Sequence, residues 1–293
     1  MNKRAKLGRQ SQMEYFKLLI PILVVVFLLI IIPLSSVVGL AFTNFSFVTM
    51  KENRFIGLAN FVRMAADERF WNSLKVAAIF GFTTVTLQIT LGLGLALILV
   101  TKFRVSRISR TLFLLPLTTP PIVASLMWKL FFTPTNPGMN YVLGVFGIKG
   151  PNWFDKPLSA MSAIVIANVW QWTPFCMLLF VAALESMPED PFESAIVDGA
   201  SLWQRFWRIT FPLIWPTVTF VATFRAIESL KLFPLVYVMT GGGPGISTEP
   251  INYYAFSSAF EYNRIGYGSA LVVVMMILVV LIVIVMKRRS YEV

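Results

Sequence analysis

Six apolar runs of membrane-spanning length recur along a chain of 293 residues, and they restrict its fold more than any other feature. A helix needs about 20 mostly apolar residues to cross roughly 30 Å of hydrocarbon. The runs fall at about 18–42, 74–101, 111–132, 160–184, 212–239 and 266–286. Hydrophobic residues make up 57% of the chain and charged residues 13%, where soluble domains carry roughly 25% charged. The expected architecture is an all-α membrane protein, one domain over residues 1–293 with six transmembrane helices and outer loops at about 43–73, 133–159 and 240–265. No repeat of about 20–50 residues and no low-complexity tract interrupts it.

The first run follows the basic start MNKRAKLGRQ, as a signal peptide would. Its apolar core is longer than the roughly 7–15 residues of a signal sequence, and no small-x-small cleavage site follows, so it reads as a retained helix. The net charge of +11 (25 Lys and Arg, 14 Asp and Glu) could suit nucleic acid, but the basic residues flank apolar runs, where they set membrane orientation. Fourteen fall on one side: Lys3, Arg4, Lys6, Arg9, Lys17, Lys102, Arg104, Arg107, Arg110, Arg205, Arg208, Lys287, Arg288 and Arg289. Seven fall on the other: Lys51, Arg54, Arg63, Arg69, Lys149, Lys156 and Arg264. The bias places both termini in the cytoplasm, although four basic residues in the first outer loop run against it. Cys176 is the only cysteine and histidine is absent, so neither a disulfide, a transition-metal cluster nor a catalytic centre is expected.

One polar stretch interrupts the greasy pattern: FESAIVDGASLWQRFWRITFP, residues 192–212, entered through MPEDP. The prolines and acids suit a helix start, Glu193 to Val197 reads as a short helix, and Gly199 as its stop. Ser201 is a natural N-cap for a second helix with Leu202, Trp203, Phe206 and Ile209 on its apolar side, ending at Phe211-Pro212. By composition alone this could be an interfacial anchor.

The order of residues says more. Glu193-Ser194-Ala195, then Asp198-Gly199-Ala200, then Phe206, Ile209 and Phe211-Pro212-Leu213 resembles the EAA motif of membrane subunits of bacterial ATP-binding-cassette (ABC) importers. Ser194 stands in place of an Ala and Phe211 in place of a Leu. RFIGLANFVRMAADERFWNSL (54–74), RTLFLLPLTTPPIVASLMWKLFF (110–132) and LVYVMTGGGPGISTEPINYYAFSSAFEYNRIGYGSA (235–270) are similar to the maltose-type, carbohydrate-uptake branch of that family. The resemblance implies a type I importer permease fold in a bacterial cytoplasmic membrane. It also implies that residues 188–211 form the coupling element that docks on a cytoplasmic ATPase. Glu193 would anchor that element, Gly199 would supply its turn and Asp198 would cap the turn. The chain lacks G-x-x-x-x-G-K-[ST], since GGGPGIST has no Lys, so ATP and Mg are expected in a separate ATPase subunit and no cofactor here. The other implied partners are a second permease, an ATPase dimer and an extracytoplasmic binding protein.

Asn168, Gln171, Trp172 and Phe175 lie at offsets 0, 3, 4 and 7, on one face of the fourth run. Polar amides in mid-bilayer need partners, so interhelical packing is one reading. Rings stacking on a sugar while Asn168 and Gln171 bond its hydroxyls is the other, and the family resemblance places substrate contacts at matching positions. The fifth run carries Arg225, Glu228, Ser229 and Lys231; i,i+3 ion pairs would satisfy these charges, and the resemblance makes Glu228 and Ser229 candidates for the translocation path. Pro174 and Pro234 are expected to kink the fourth and fifth helices. The whole predicts a subunit of an ATP-driven importer of a sugar, oligosaccharide or polyol. The alternatives are an ABC permease for another solute, an ion-coupled secondary transporter and a nontransporting membrane scaffold.

Overall fold

The structure, a computed structural model, describes residues 19–48, 53–102, 107–133, 135 and 138–291, with side chains at 101–102, 107–112 and 287–291 left aside. Lys3, Arg4, Lys6, Arg9, Lys17, Lys51 and Arg104, and residue 18 of the first expected span, lie outside the described residues. Regular structure among the described residues is helical, apart from one isolated antiparallel bridge between Thr43 and Phe55. In chain order the helices are α1 Leu19–Ala41, α2 Ala59–Ala65, α3 Glu68–Lys102, α4 Arg107–Thr118, α5 Pro121–Phe132, α6 Gly138–Val145, α7 Pro157–Glu185, α8 Asp190–Val197, α9 Leu202–Ser229, α10 Phe233–Met239, α11 Ile251–Phe256 and α12 Ile265–Tyr291. Five are long and apolar enough to cross a membrane: α1, α3, α7, α9 and α12 over Ile265–Met286.

Two expected spans are redrawn. The run at 111–132 is two 12-residue helices, α4 and α5, parted at Thr119 and Pro120. A residue before proline is pushed out of the helical region, and Pro120, preceding Pro121, sits at ψ 138° accordingly. The run at 212–239 is also redrawn, because α9 begins ten residues earlier, at Leu202, and stops at Ser229. No break occurs at Phe211-Pro212; the chain passes through a π turn, Phe206–Thr210, in which the Phe211 N–H reaches the Phe206 carbonyl. Pro212 cannot donate and its ring crowds the carbonyl four residues back, at Arg208, so a widened turn there relieves both problems. The same device precedes Pro33, where the π turn Phe27–Ile31 lies inside α1. Pro234, expected as a kink within a span, instead opens the separate helix α10.

The chain forms two compact units, residues 1–64 with 255–274 and residues 65–254 with 275–293. In the larger, α7 is apolar on nearly every face and is the most buried span, as such a helix must be. It lies against α3, close enough at Gly92 that a Cβ there would stand 2.7 Å from the Cβ of Cys176. One core cluster joins Phe80, Ile164, Ala167, Leu235 and Val236; another joins Ala96, Cys176, Phe180, Ile214 and Val221. In the smaller unit, the Asn60 amide donates to the carbonyls of Ala41 and Thr43, both at 2.8 Å, and fastens α2 to the end of α1.

Candidate functional site

The polar stretch at 188–211 folds into a helix–turn–helix with each end closed by its own residues. Helix α8 starts with Pro191 in its first turn and with Asp190 and Glu193 beside the positive end of the helix dipole. At its other end the Ala200 N–H bonds to the Ala195 carbonyl at 2.9 Å and the Gly199 N–H to the Ile196 carbonyl at 3.0 Å. These two bonds make a Schellman closure, which requires a left-handed residue, and Gly199 supplies it at φ 74°. The turn is thus closed through backbone groups. Ser201 then caps α9 reciprocally: its hydroxyl accepts from the Gln204 N–H at 3.3 Å, and its own N–H donates to the Gln204 side chain at 2.8 Å.

Glu193, Ser194, Asp198 and Gly199 are exposed, with Ala195 and Ala200 half-buried. Apolar side chains stand out beside them, Val197 at 87% exposure, Leu202 at 78% and Trp203 at 70%. A ladder of rings, Trp203, Phe206, Trp207, Phe211 and Trp215, with centroids 5.1–6.2 Å apart, runs from the turn through the π turn into the body of α9. From Leu202 onward, the second half of the exposed element and the span are therefore one continuous helix.

Further along α9 lies the second candidate cluster. Arg225 is 1% exposed and sits among amides of α3 and α7. Its Nε donates to Gln88 Oε1 at 2.9 Å, and its Nη2 to Asn168 Oδ1 at 3.5 Å. Gln88 Nε2 completes the ring by donating to Asn168 Oδ1 at 2.9 Å. The guanidinium lies 4.1 Å from the centroid of the Trp172 ring, a cation–π contact that compensates for the missing carboxylate. Arg225 Nη1 is buried without a hydrogen-bond partner.

The six expected contact residues are thus distributed. Asn168 and Trp172 join Arg225, and Phe175 follows at 6.2 Å from Trp172 and 5.0 Å from Phe224. Gln171 points elsewhere, donating to the Thr119 carbonyl at 3.0 Å and so satisfying the acceptor freed by the break between α4 and α5. Ser229 bonds its own helix at the Ala226 carbonyl. Glu228 pairs with Lys231 at 2.7 Å, as the i,i+3 spacing suggests, but Arg225 turns away from it to the amides. Both Asn168 and Gln171 are therefore engaged across helices, the packing arrangement weighed from the sequence.

Gln88 escaped notice on sequence, although a lone amide within TVTLQITLGL was the available signal. A second ion pair also went unforeseen. Glu249, 1% exposed, takes Arg69 in a two-pronged bond of 2.7 and 2.8 Å, and Arg69 lies 4.8 Å from the centroid of the Tyr254 ring. With Asn72 donating to the Ile246 carbonyl at 2.7 Å, it fastens the glycine-rich loop before α11 onto the start of α3.

Residues 88–290, a segment that opens on Gln88 and encloses both clusters, match the family described as binding-protein-dependent transport system inner membrane component. The chain belongs to that family. Among its relatives, the permease is 36% identical to the trehalose/maltose transport system permease protein MalF of Thermococcus litoralis over 90% of this chain and 88% of that one. It is 34% identical to the sulfoquinovosyl glycerol transport system permease protein SmoG of Agrobacterium fabrum, over 87% and 83%. In fold, the permease superposes on a crystal structure of a bacterial ABC transporter involved in import of the acidic polysaccharide alginate with a TM-score of 0.84, covering 99% of both chains at 20% identity. The permease is accordingly a multi-pass inner-membrane protein of the ABC importer class.

Proposed function

We propose that the permease carries a sugar, oligosaccharide or polyol across the membrane by alternating access, driven by ATP hydrolysis in a separate subunit. The observation that supports this best is the continuity of α9. One helix, Leu202–Ser229, starts at an exposed, tightly capped turn and carries Arg225 near its other end, against Asn168 and Trp172. A displacement of the Leu202 end would be carried along one unbroken helix toward that polar cluster.

In this reading residues 1–293 act as one permease domain with both termini cytoplasmic, α4 and α5 together make the third of six crossings, and the 188–211 element docks on the ATPase. Exposed Val197, Leu202 and Trp203 would fill a cleft there, while Glu193 would make charge-assisted bonds. A second, different permease subunit, an ATPase dimer holding ATP and Mg, and an extracytoplasmic binding protein complete the assembly. The substrate class rests on the relatives named for trehalose/maltose and sulfoquinovosyl glycerol transport. Asn168, Trp172, Phe175 and Glu228 would meet the substrate when the helices rearrange, its hydroxyls replacing the Gln88 and Arg225 bonds now made to Asn168. Gln171 and Ser229 would support that site from beside it.

Gly199→Asp tests the coupling. It demands a left-handed backbone of a residue with a Cβ, at a cost of about 1–2 kcal/mol, and puts a charge on the docking face. The assembly should form while ATP-driven uptake falls to background; wild-type uptake would overturn the coupling role.

A further inference from the structure

Four basic residues in the first expected outer loop run against the charge bias of the chain, and one of them marks a site. In the smaller unit, a cleft of about 560 Å³ is lined by Asn44, Asn60, Arg63, Tyr262, Arg264 and Tyr267, among others. No carboxylate lines it, and among the described residues neither the Arg63 nor the Arg264 guanidinium has a hydrogen bond or ion pair; both side chains are exposed. Arg69, by contrast, is neutralised by Glu249.

The level of the cleft follows from its walls. Helix α1 ends at Ala41 and the apolar part of α12 begins at Ile265. The Gly266 N–H bonds to the Phe45 carbonyl at 3.1 Å, so the chain just past the end of α1 touches the start of α12, and residues flanking both ends, Asn44 to Ser46 and Arg264, line the cleft. The ends of two apolar spans are where a chain leaves the hydrocarbon for the headgroups, the level at which tyrosine is enriched. Exposed apolar side chains accompany the polar ones: Val48, which lines the cleft, at 74%, and Phe55 at 78%, Leu58 at 64% and Val62 at 70%, each next in sequence to the lining residues Ile56, Ala59 and Arg63. A cationic, hydroxyl-bearing cleft with a greasy rim fits an amphiphile better than a water-borne solute.

We propose that this cleft binds the headgroup of an anionic phospholipid, its phosphate between Arg63 and Arg264 and its acyl chains along the Leu58 and Val62 side of α2. Guanidinium donors match phosphate oxygens in geometry and charge.

The test compares retention of phosphatidylglycerol with phosphatidylcholine on the full-length chain in its assembled complex, read by native mass spectrometry of competition mixtures. Two surface cations should favour the anionic lipid by roughly thirtyfold. Arg63→Gln with Arg264→Gln should bring the ratio within about threefold of unity, whereas Arg63→Lys with Arg264→Lys should keep most of it. Absence of any preference in the wild type, a preference surviving in the Gln variant, or equal loss in the Gln and Lys variants would each overturn the proposal. A Gln variant that keeps its lipid preference but loses affinity for the extracytoplasmic binding protein would assign the cleft to protein docking instead.

Discussion

Arg225 is the largest fully buried side chain among the described residues, and its surroundings decide what a mutation there would do. Two uncharged amides and one indole hold it, so deleting an amide leaves a charged donor unpaired where water cannot reach. Gln88→Leu, which keeps the volume, should lower stability by about 1.5–3 kcal/mol, seen as a reduced thermal midpoint of the assembled complex. Trp172→Ala should instead weaken substrate-stimulated transport more than basal ATP hydrolysis, because the ring is only half-buried; an equal loss of both would identify Trp172 as packing alone. The face that carries Asn168 and Trp172 was legible from helical spacing, and so was the need for partners. Which partners was not, since Gln88 lies 80 positions from Asn168 and 137 from Arg225. Nothing local ties residues that far apart.

Individual helices show a sharper division. The Gly199 stop and the Ser201 cap were readable because both depend on residues within one turn of the break. Proline was misleading in both directions. Pro212 did not end its helix, because five preceding residues could widen into a π turn, while Pro120 and Pro121 together did part α4 from α5. Hydropathy cannot separate one span from two apolar half-length helices, since both bury the same composition. Packing between helices offers a test at this scale. At Gly92 a Cβ would stand 3.0 Å from the backbone nitrogen of Met177, whereas at Gly94 it would meet nothing within 4 Å. Gly92→Val should therefore force α3 from α7 and cost about 1–3 kcal/mol in thermal stability, with Gly94→Val near wild type.

For the molecule as a whole, the energy source separates the proposed importer from an ion-coupled carrier. Proteoliposomes holding the complete assembly should accumulate carbohydrate only with ATP inside the ATPase compartment. The permease given an ion gradient without the ATPase should accumulate none, and uptake under that condition would favour the carrier. The membrane class, the helical fold, the family and the polar helix–turn–helix stretch at 188–211 were all determined by sequence alone, because each rests on composition or on residues close together along the chain. Only the tertiary structure decided that Arg225 turns from Glu228 to Gln88 and Asn168, that Gln171 serves the Thr119 carbonyl, and that Arg63 and Arg264 line one cleft. Those pairings depend on which helix faces meet, and in a chain apolar on most faces, hydropathy does not distinguish one meeting from another.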